Sequence, residues 1–148
     1  RVPCIVRWPG KTKAGSETET PSYFPDWFPT LSRIAEADLP TQQLDGIDLT
    51  KVLTEGKTVE RTEPLIWDFH NYGGIVAIRD GKWKALRRNL LKKTPAPWEL
   101  YNLEEDRNES TDLAAQHPGI VKELEQKYIS TRTPEPDFPV PIYDQVAK

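Results

Sequence analysis

Residues 75–88 read Ile75-Val-Ala-Ile-Arg-Asp80-Gly81-Lys-Trp-Lys-Ala-Leu-Arg-Arg88 and predict the central pair of strands in this chain. Asp80-Gly81 is a strong signal for a type I′ turn, because both central positions of that turn need a positive φ angle. The flanking segments, residues 75–79 and 82–88, have the length of ordinary strands. Residues 75–88 therefore predict an antiparallel hairpin.

Two more strands are predicted, one on each side of the hairpin. Residues 63–70 alternate, so that one face carries Leu65, Trp67 and Phe69 and the other carries Ile66, Asp68 and His70. A shorter strand, residues 98–101, follows a loop that contains two prolines. Together the four segments predict an antiparallel sheet.

A helix is predicted where the chain reaches His117-Pro118, because proline is favoured at the first helical position. An apolar stripe continues it, and the pattern fades by Thr131, before Pro134 prevents continuation. Four antiparallel strands with one buried face are stable when a helix packs on them. We therefore expect this helix to cover the sheet.

The first residues of the chain have a different pattern. Residues 2–8 form a nearly continuous apolar run, which is typical of a strand covered on both faces in a parallel α/β sheet. We expect the other strands of that sheet to lie outside this chain. Cys4, the single cysteine, is expected to be an inert buried thiol within the run.

Helices are predicted between this run and the sheet. The first covers residues 26–37 with Asp26 as its cap, and the second follows the Asp45-Gly46 turn and ends at Gly56. The predicted fold class is therefore α+β, in which an incomplete α/β remnant precedes a four-stranded antiparallel sheet packed by a C-terminal helix. The predicted bounds are 1–60 for the remnant, 61–133 for the sheet and helix, and 134–148 for an extended, proline-rich surface tail.

Composition excludes several classes of function. No run of the chain approaches the roughly 18 apolar residues of a membrane-spanning helix, so no membrane partner is predicted. The net charge of −3 argues against a general polyanion binder, and no nucleic-acid partner is predicted. Charge is nevertheless segregated, since residues 75–95 carry seven basic residues against one acid and residues 99–125 carry eight acids against two basic residues.

These charged zones allow two interpretations. They either pair across the fold or face solvent, as mixed surface charge ordinarily does. The alternative is a stand-alone module that binds a polyanion or glycan through the basic hairpin. Alternation along the second hairpin strand favours the first interpretation, because it directs Trp83 into the core and Lys82 and Lys84 toward water.

The sequence contains no self-sufficient catalytic constellation, and we predict no catalytic and no metal-ligating residue in it. His70 is the candidate binding residue, because it ends a strand, shares a face with Asp68 and precedes Asn71 and Tyr72. Polar groups with aromatic neighbours at a strand end suit a sugar or anion subsite. The alternative is a hairpin corner in which His70 only caps backbone groups.

Seven short segments follow one another in a specific order over nearly the whole chain. Each is modest alone, and the order makes the set specific: Arg-Val-Pro-Cys-Ile-Val-Arg-Trp-Pro-Gly-Lys at 1–11, Pro-Asp-Trp-Phe-Pro-Thr-Leu at 25–31, Leu-Asp-Gly-Ile-Asp-Leu at 44–49, Ile-Trp-Asp-Phe-His at 66–70, Ile-Arg-Asp-Gly-Lys-Trp-Lys at 78–84, Glu-Leu-Tyr-Asn-Leu-Glu-Glu-Asp at 99–106 and Leu-Ala-Ala-Gln-His-Pro at 113–118. Together they resemble the C-terminal part of formylglycine-dependent sulfatases, which are arylsulfatase-like members of the alkaline-phosphatase-like superfamily.

The resemblance implies hydrolysis of sulfate esters, with a sulfated carbohydrate or an aryl sulfate as substrate. In this family a formylglycine, made within a C/S-x-P-x-R motif, attacks sulfur, and calcium neutralises the sulfate charge. Cys4 departs from that motif, because Val6 stands in place of the proline and Trp8 in place of the arginine. Formylglycine and calcium are therefore expected in the full-length enzyme, with an N-terminal sulfatase domain as partner, and the fragment alone is predicted to be inactive.

The resemblance also implies a role for residues 61–133, which in this family lie against the active-site cleft and contribute to substrate recognition. His70 matches the family's W-x-F-H segment, with Asp68, Asn71 and Tyr72 as its neighbours. We expect His70 to donate a hydrogen bond to a sugar hydroxyl or a sulfate oxygen, more strongly when the ring is protonated. A periplasmic or secreted location is expected from the family.

Overall fold

The chain divides into two units, Arg1–Thr62 and Glu63–Lys148, and the computed structural model describes residues 2–144 of it. The first unit contains a 3₁₀ turn at Phe24–Asp26 and two helices, α1 at Trp27–Ile34 and α2 at Thr50–Glu55. The second unit contains four strands and one helix: β1 at Leu65–Phe69, β2 at Ile75–Asp80, β3 at Trp83–Arg88, β4 at Trp98–Asn102 and α3 at Pro118–Thr131.

The four strands form one antiparallel sheet in the order β1-β2-β3-β4. Its register aligns Ile66 with Ile78, Ile78 with Ala85, and Ala85 with Leu100. This row of apolar residues lies on the face that α3 covers, and it confirms the predicted α+β class with a helix packed on a four-stranded sheet. The core cluster on this face comprises Val76, Ile78, Ala85, Leu90, Trp98, Leu100, Leu124, Tyr128 and Val140.

The central hairpin forms as predicted, but its turn is of a different type. Asp80 pairs with Trp83, so the two loop residues are Gly81 and Lys82. Gly81 has a φ of +55°, whereas Lys82 does not have a positive φ. A positive φ at the first central position alone is the pattern of a type II′ turn, and the prediction of a type I′ turn is wrong.

The strand predicted over residues 2–8 is not formed. Within residues 2–144 this segment pairs with no other strand, and an isolated strand has no partner for its backbone hydrogen bonds. Val2 and Ile5 are 89% and 92% exposed. Cys4 is also exposed, so the expectation of a buried thiol is wrong for this chain.

Helix α1 is shorter than the predicted 26–37, and Asp26 is more than a helix cap. Its carboxylate accepts hydrogen bonds from the backbone N–H groups of Tyr23 and Ile47, each at 2.9 Å, and from Arg61 at 2.6 Å. Asp26 is fully buried. It therefore ties the start of α1 to the following turn, where a Cβ atom at Gly46 would lie 2.1 Å from the Pro25 carbonyl oxygen.

The proline-rich tail does not lie wholly on the surface. Val140 is 2% exposed and belongs to the core cluster, and its carbonyl oxygen accepts hydrogen bonds from the N–H groups of Tyr143 and Asp144. The predicted surface position of the tail is thus corrected at Val140, which apolar burial anchors in the core, and at the half-buried residues 139, 143 and 144. Its last residues, 145–148, lie outside the described part of the chain.

Candidate functional site

The predicted binding residues lie beside an open groove at the end of β1. The groove has a volume of about 390 Å³, and its lining residues are Asp68, His70, Asn71, Glu135 and Phe138. The first three were predicted from the sequence, and the last two come from the tail. The structure therefore brings three of the four candidates to one place.

His70 is held in position by the tail. Its Nε2 atom lies 3.0 Å from the carbonyl oxygen of Pro139, and its ring packs edge-on against Phe138 with 5.4 Å between ring centres. Because a carbonyl only accepts hydrogen bonds, Nε2 carries the proton. In the neutral ring, Nδ1 is then an acceptor, so His70 offers a ligand a donor only when it is protonated.

Asp68 lines the groove, but the protein itself engages both of its carboxylate oxygens. One accepts the hydroxyl hydrogen of Tyr128 at 2.6 Å, and the other accepts Nε–H of Arg132 at 3.0 Å. Burial of Tyr128 and its bond to the Asp68 carboxylate raise the pKa of the phenol. Asp68 therefore holds the end of β1 against α3.

Arg132 extends this network into the tail. Its guanidinium also contacts a carboxylate oxygen of Asp144, whose other oxygen accepts the N–H of Val140 at 2.8 Å. Burial alone would raise the pKa of Asp144, but the bonds from Arg132 and Val140 outweigh it and lower that pKa below its ordinary value. Strand β1, helix α3 and the tail are thus joined by one chain of polar contacts.

Asn71 and Tyr72 form the corner after β1. Asn71 is exposed, and its carbonyl oxygen accepts the N–H of Gly74 at 3.1 Å. Tyr72 has a φ of +55°, is 85% exposed and stacks on Phe69 with 6.2 Å between ring centres. Tyr72 does not line the groove, so the structure separates it from the other three candidates.

Sequence reasoning missed Glu135 and Phe138 as lining residues. It interpreted the tail by its prolines, which predict an extended surface segment. The overlooked signal was Val140, an apolar residue among those prolines, which is now seen in the core.

The described residues do not fit the cofactors that the sulfatase resemblance implies. Within residues 2–144 there is no group of three or more His, Cys, Asp or Glu side chains that could hold a metal ion. Cys4 is exposed and lacks the proline and arginine of the formylglycine motif. Over the same residues, each helix is too short or too polar to cross a membrane.

The basic hairpin pairs with the acidic zone. Lys84 contacts Glu109 at 2.6 Å, and similar ion pairs join Arg87 to Glu125 at 3.3 Å and Arg88 to Glu99 at 3.1 Å. Trp83 is half-buried and packs against the core cluster, as the alternation predicted, whereas Lys84 does not face water freely, because its side chain is only 23% exposed. Pairing across the fold is thus confirmed for these three cations.

Comparison with known proteins gives consistent results. Residues 1–133 match the family model described as N-sulphoglucosamine sulphohydrolase, C-terminal. The choline-sulfatase of Rhizobium meliloti is 34% identical over 126 residues, which are 82% of this chain and 23% of that protein. The N-acetylgalactosamine-6-O-sulfatase of Bacteroides thetaiotaomicron is 28% identical over 148 residues, covering 90% of this chain and 27% of that protein.

Solved structures agree with these similarities. The crystal structure of Ps i-CgsB in complex with k-i-k-neocarrahexaose has a TM-score of 0.68 and 28% identity, covering 81% of this chain and 26% of that one. The chain spans only 9% to 27% of the length of the curated relatives that it matches.

Proposed function

Since the chain belongs to the N-sulphoglucosamine sulphohydrolase C-terminal family of sulfatases, we propose that it is the substrate-facing part of an enzyme that hydrolyses sulfate esters of carbohydrates. Two relatives support a sugar sulfate as the substrate, whereas the choline-sulfatase of Rhizobium meliloti is named for a different ester. One is named an N-acetylgalactosamine-6-O-sulfatase, and the other is a structure bound to a neocarrahexaose. In this proposal residues 1–60 complete a large α/β domain, residues 61–133 form the smaller subdomain, and residues 134–148 follow it as a tail.

The observation that carries the proposal is the position of His70 at the groove. Its Nε2–H donates a hydrogen bond to the carbonyl oxygen of Pro139, which leaves Nδ1 as the ring nitrogen that can bind a ligand. Asn71 adds an amide beside it, which can both donate to and accept from sugar hydroxyls. A few oriented polar groups beside an aromatic ring are typical of a sugar subsite.

The chemistry of sulfate ester cleavage is assigned to other parts of the enzyme. Among residues 2–144 no side chains fit the calcium site, and Cys4 does not fit the nucleophile motif. We therefore propose that an N-terminal sulfatase domain supplies formylglycine and calcium. His70 and Asn71 then bind and orient the sugar and take no part in bond breaking.

The first test compares the 148-residue chain with the protein made from the complete reading frame. We expect the complete protein to hydrolyse 4-nitrophenyl sulfate and the 148-residue chain to show no turnover above the uncatalysed rate. Turnover by the pure chain would place a nucleophile within it and would overturn this division of labour.

The second test concerns His70 itself. In the complete protein, we expect His70→Ala to raise KM for a sulfated oligosaccharide about fivefold to tenfold, the value of roughly one hydrogen bond, with a smaller change in kcat. His117→Ala is the matched control, because His117 packs 5.3 Å from Trp83, outside the groove. Equal effects of the two substitutions would contradict a binding role for His70.

A further inference from the structure

We propose that Glu135 and Phe138 determine which sugar the groove accepts, and that the groove takes an unsulfated, hydroxylated sugar residue. This inference rests on the proposed function and deepens it. The scissile sulfate is then bound elsewhere in the enzyme, and the groove holds a neighbouring part of the substrate.

The segment that carries Glu135 and Phe138 is fixed at its far end. Val140 is buried in the core, and the Tyr143 hydroxyl lies 2.8 Å from Glu125 and 3.1 Å from Arg87. Asp144 is held by Arg132 in addition. A wall anchored in this way can discriminate between ligands, because little ordering entropy is lost when a ligand binds against it.

Phe138 supplies an apolar surface to the groove. It is 58% exposed although its ring contacts His70, so part of the ring is free to meet a ligand. Sugars present C–H groups on one face of the ring and hydroxyls around its edge. Stacking on Phe138 would therefore direct the hydroxyls of the sugar toward His70, Asn71 and Glu135.

The charge of the groove disfavours a sulfate. Asp68 shares the Arg132 guanidinium with Asp144, and within the described residues Glu135 accepts a hydrogen bond only from the N–H of Asp137, at 3.2 Å. No lysine or arginine lines the groove in the part of the chain that the structure describes. A carboxylate without a cation repels a sulfate and accepts hydrogen bonds from hydroxyls.

The inference is tested by measuring the binding of two matched sugars to the 148-residue chain by ligand-observed NMR titration. The sugars are N-acetylgalactosamine and N-acetylgalactosamine 6-sulfate, which differ by one sulfate. We expect the unsulfated sugar to bind about fivefold more tightly, and Glu135→Gln to remove most of that preference. Asp137→Asn is the matched control, because it removes the same charge from the same turn but from a residue that does not line the groove.

Phe138 is tested in the same assay. Phe138→Ala should weaken both sugars by a similar factor of about fivefold, with the preference between them unchanged. Phe138→Leu is the second variant if the alanine variant loses its cooperative thermal unfolding, because leucine keeps an apolar side chain against His70 and removes only the aromatic face.

The outcomes separate this inference from the proposed function. If neither sugar binds, or if His70→Ala leaves binding unchanged, the groove is not a sugar site and both are overturned. If His70→Ala weakens binding but Glu135→Gln leaves the preference as it was, only the role of Glu135 is overturned. Equal binding of both sugars by the unsubstituted chain overturns the whole inference and leaves the proposed function standing.

Discussion

Tyr128 donates its hydroxyl hydrogen to Asp68 across 2.6 Å and so joins helix α3 to the strand that ends at the groove. Tyr128 is fully buried, and its ring packs edge-on against Trp98 and Tyr143. Asp68 is the neighbour of His70 on the same strand face, so the position of the candidate binding residue depends on this hydrogen bond.

Removal of Asp68 is expected to destabilise the fold before it affects binding. Asp68→Ala leaves the Tyr128 hydroxyl without its acceptor and the Arg132 guanidinium, which is 5% exposed, with Asp144 as its remaining partner. We expect a loss of about 2–3 kcal/mol in the free energy of unfolding, measured by urea denaturation. Tyr128→Phe should cost about 1 kcal/mol, because it removes one hydrogen bond.

The two substitutions should not be additive. Once Asp68 is absent, the Tyr128 hydroxyl is already unsatisfied, so adding Tyr128→Phe should cost nothing further or restore some stability. The exposed Asp137→Ala serves as control and should change the free energy of unfolding by less than about 0.5 kcal/mol. Strict additivity in the double variant would show that the 2.6 Å contact does not couple the two residues.

The attachment of the tail is expected to depend on acid pH. Asp144 has a pKa below its ordinary value of 3.8 because the bonds from Arg132 and Val140 outweigh the effect of burial. A lowered folded-state pKa means that this stabilisation is complete above the unfolded value and is lost as the pH falls through the folded value. Asp144→Asn should therefore destabilise the chain at pH 7 by about 1–2 kcal/mol and by progressively less below pH 3.8. Urea unfolding at pH 7, 5 and 3 measures the difference in free energy of unfolding between the Asp144→Asn variant and the unsubstituted chain. A difference that does not change with pH would show that the Asp144 carboxylate does not stabilise the tail.

Much of the second unit could be predicted because its pattern is local. Alternation along the second hairpin strand places Trp83 and Ala85 on one face, and the structure packs both with the core cluster that α3 covers. The helix begins and ends at Pro118 and Thr131, as its proline start and fading apolar stripe indicated. These features depend on residues close in sequence, which is why one sequence was sufficient.

The lining of the groove was predicted only in part, because it is formed by residues that are far apart in sequence. Asp68, His70 and Asn71 are adjacent in sequence, whereas Pro139 and Phe138 reach them from about seventy residues away. Nothing local in the tail specifies that contact. The sequence led us to expect His70 to donate a hydrogen bond to a ligand. In the neutral ring Nε2–H donates to the carbonyl oxygen of Pro139 instead, and this contact also depends on the distant tail.

The loop between β1 and β2 should not tolerate a side chain at Gly74. Its φ is +82°, and a Cβ atom there would lie 2.8 Å from Cγ of Leu91. We expect Gly74→Ala to cost about 2 kcal/mol in thermal or urea unfolding. Gly119→Ala is the matched control, because that glycine lies in α3 with nothing within 4 Å of the added atom. It should be neutral or stabilise the fold by about 0.5–1 kcal/mol, and a destabilisation equal to that of Gly74→Ala would contradict the role given to this loop.

The basic hairpin should not act as a polyanion-binding surface. Lys84, Arg87 and Arg88 are each paired with a glutamate, so a polyanion would have to displace those partners. We expect no micromolar binding of heparin at about 0.15 M salt, measured by calorimetry. The double substitution Glu99→Gln and Glu109→Gln frees two cations and should produce weak, salt-dependent binding where the unsubstituted chain has none. Micromolar binding by the unsubstituted chain, falling steeply with salt, would instead favour the stand-alone polyanion module.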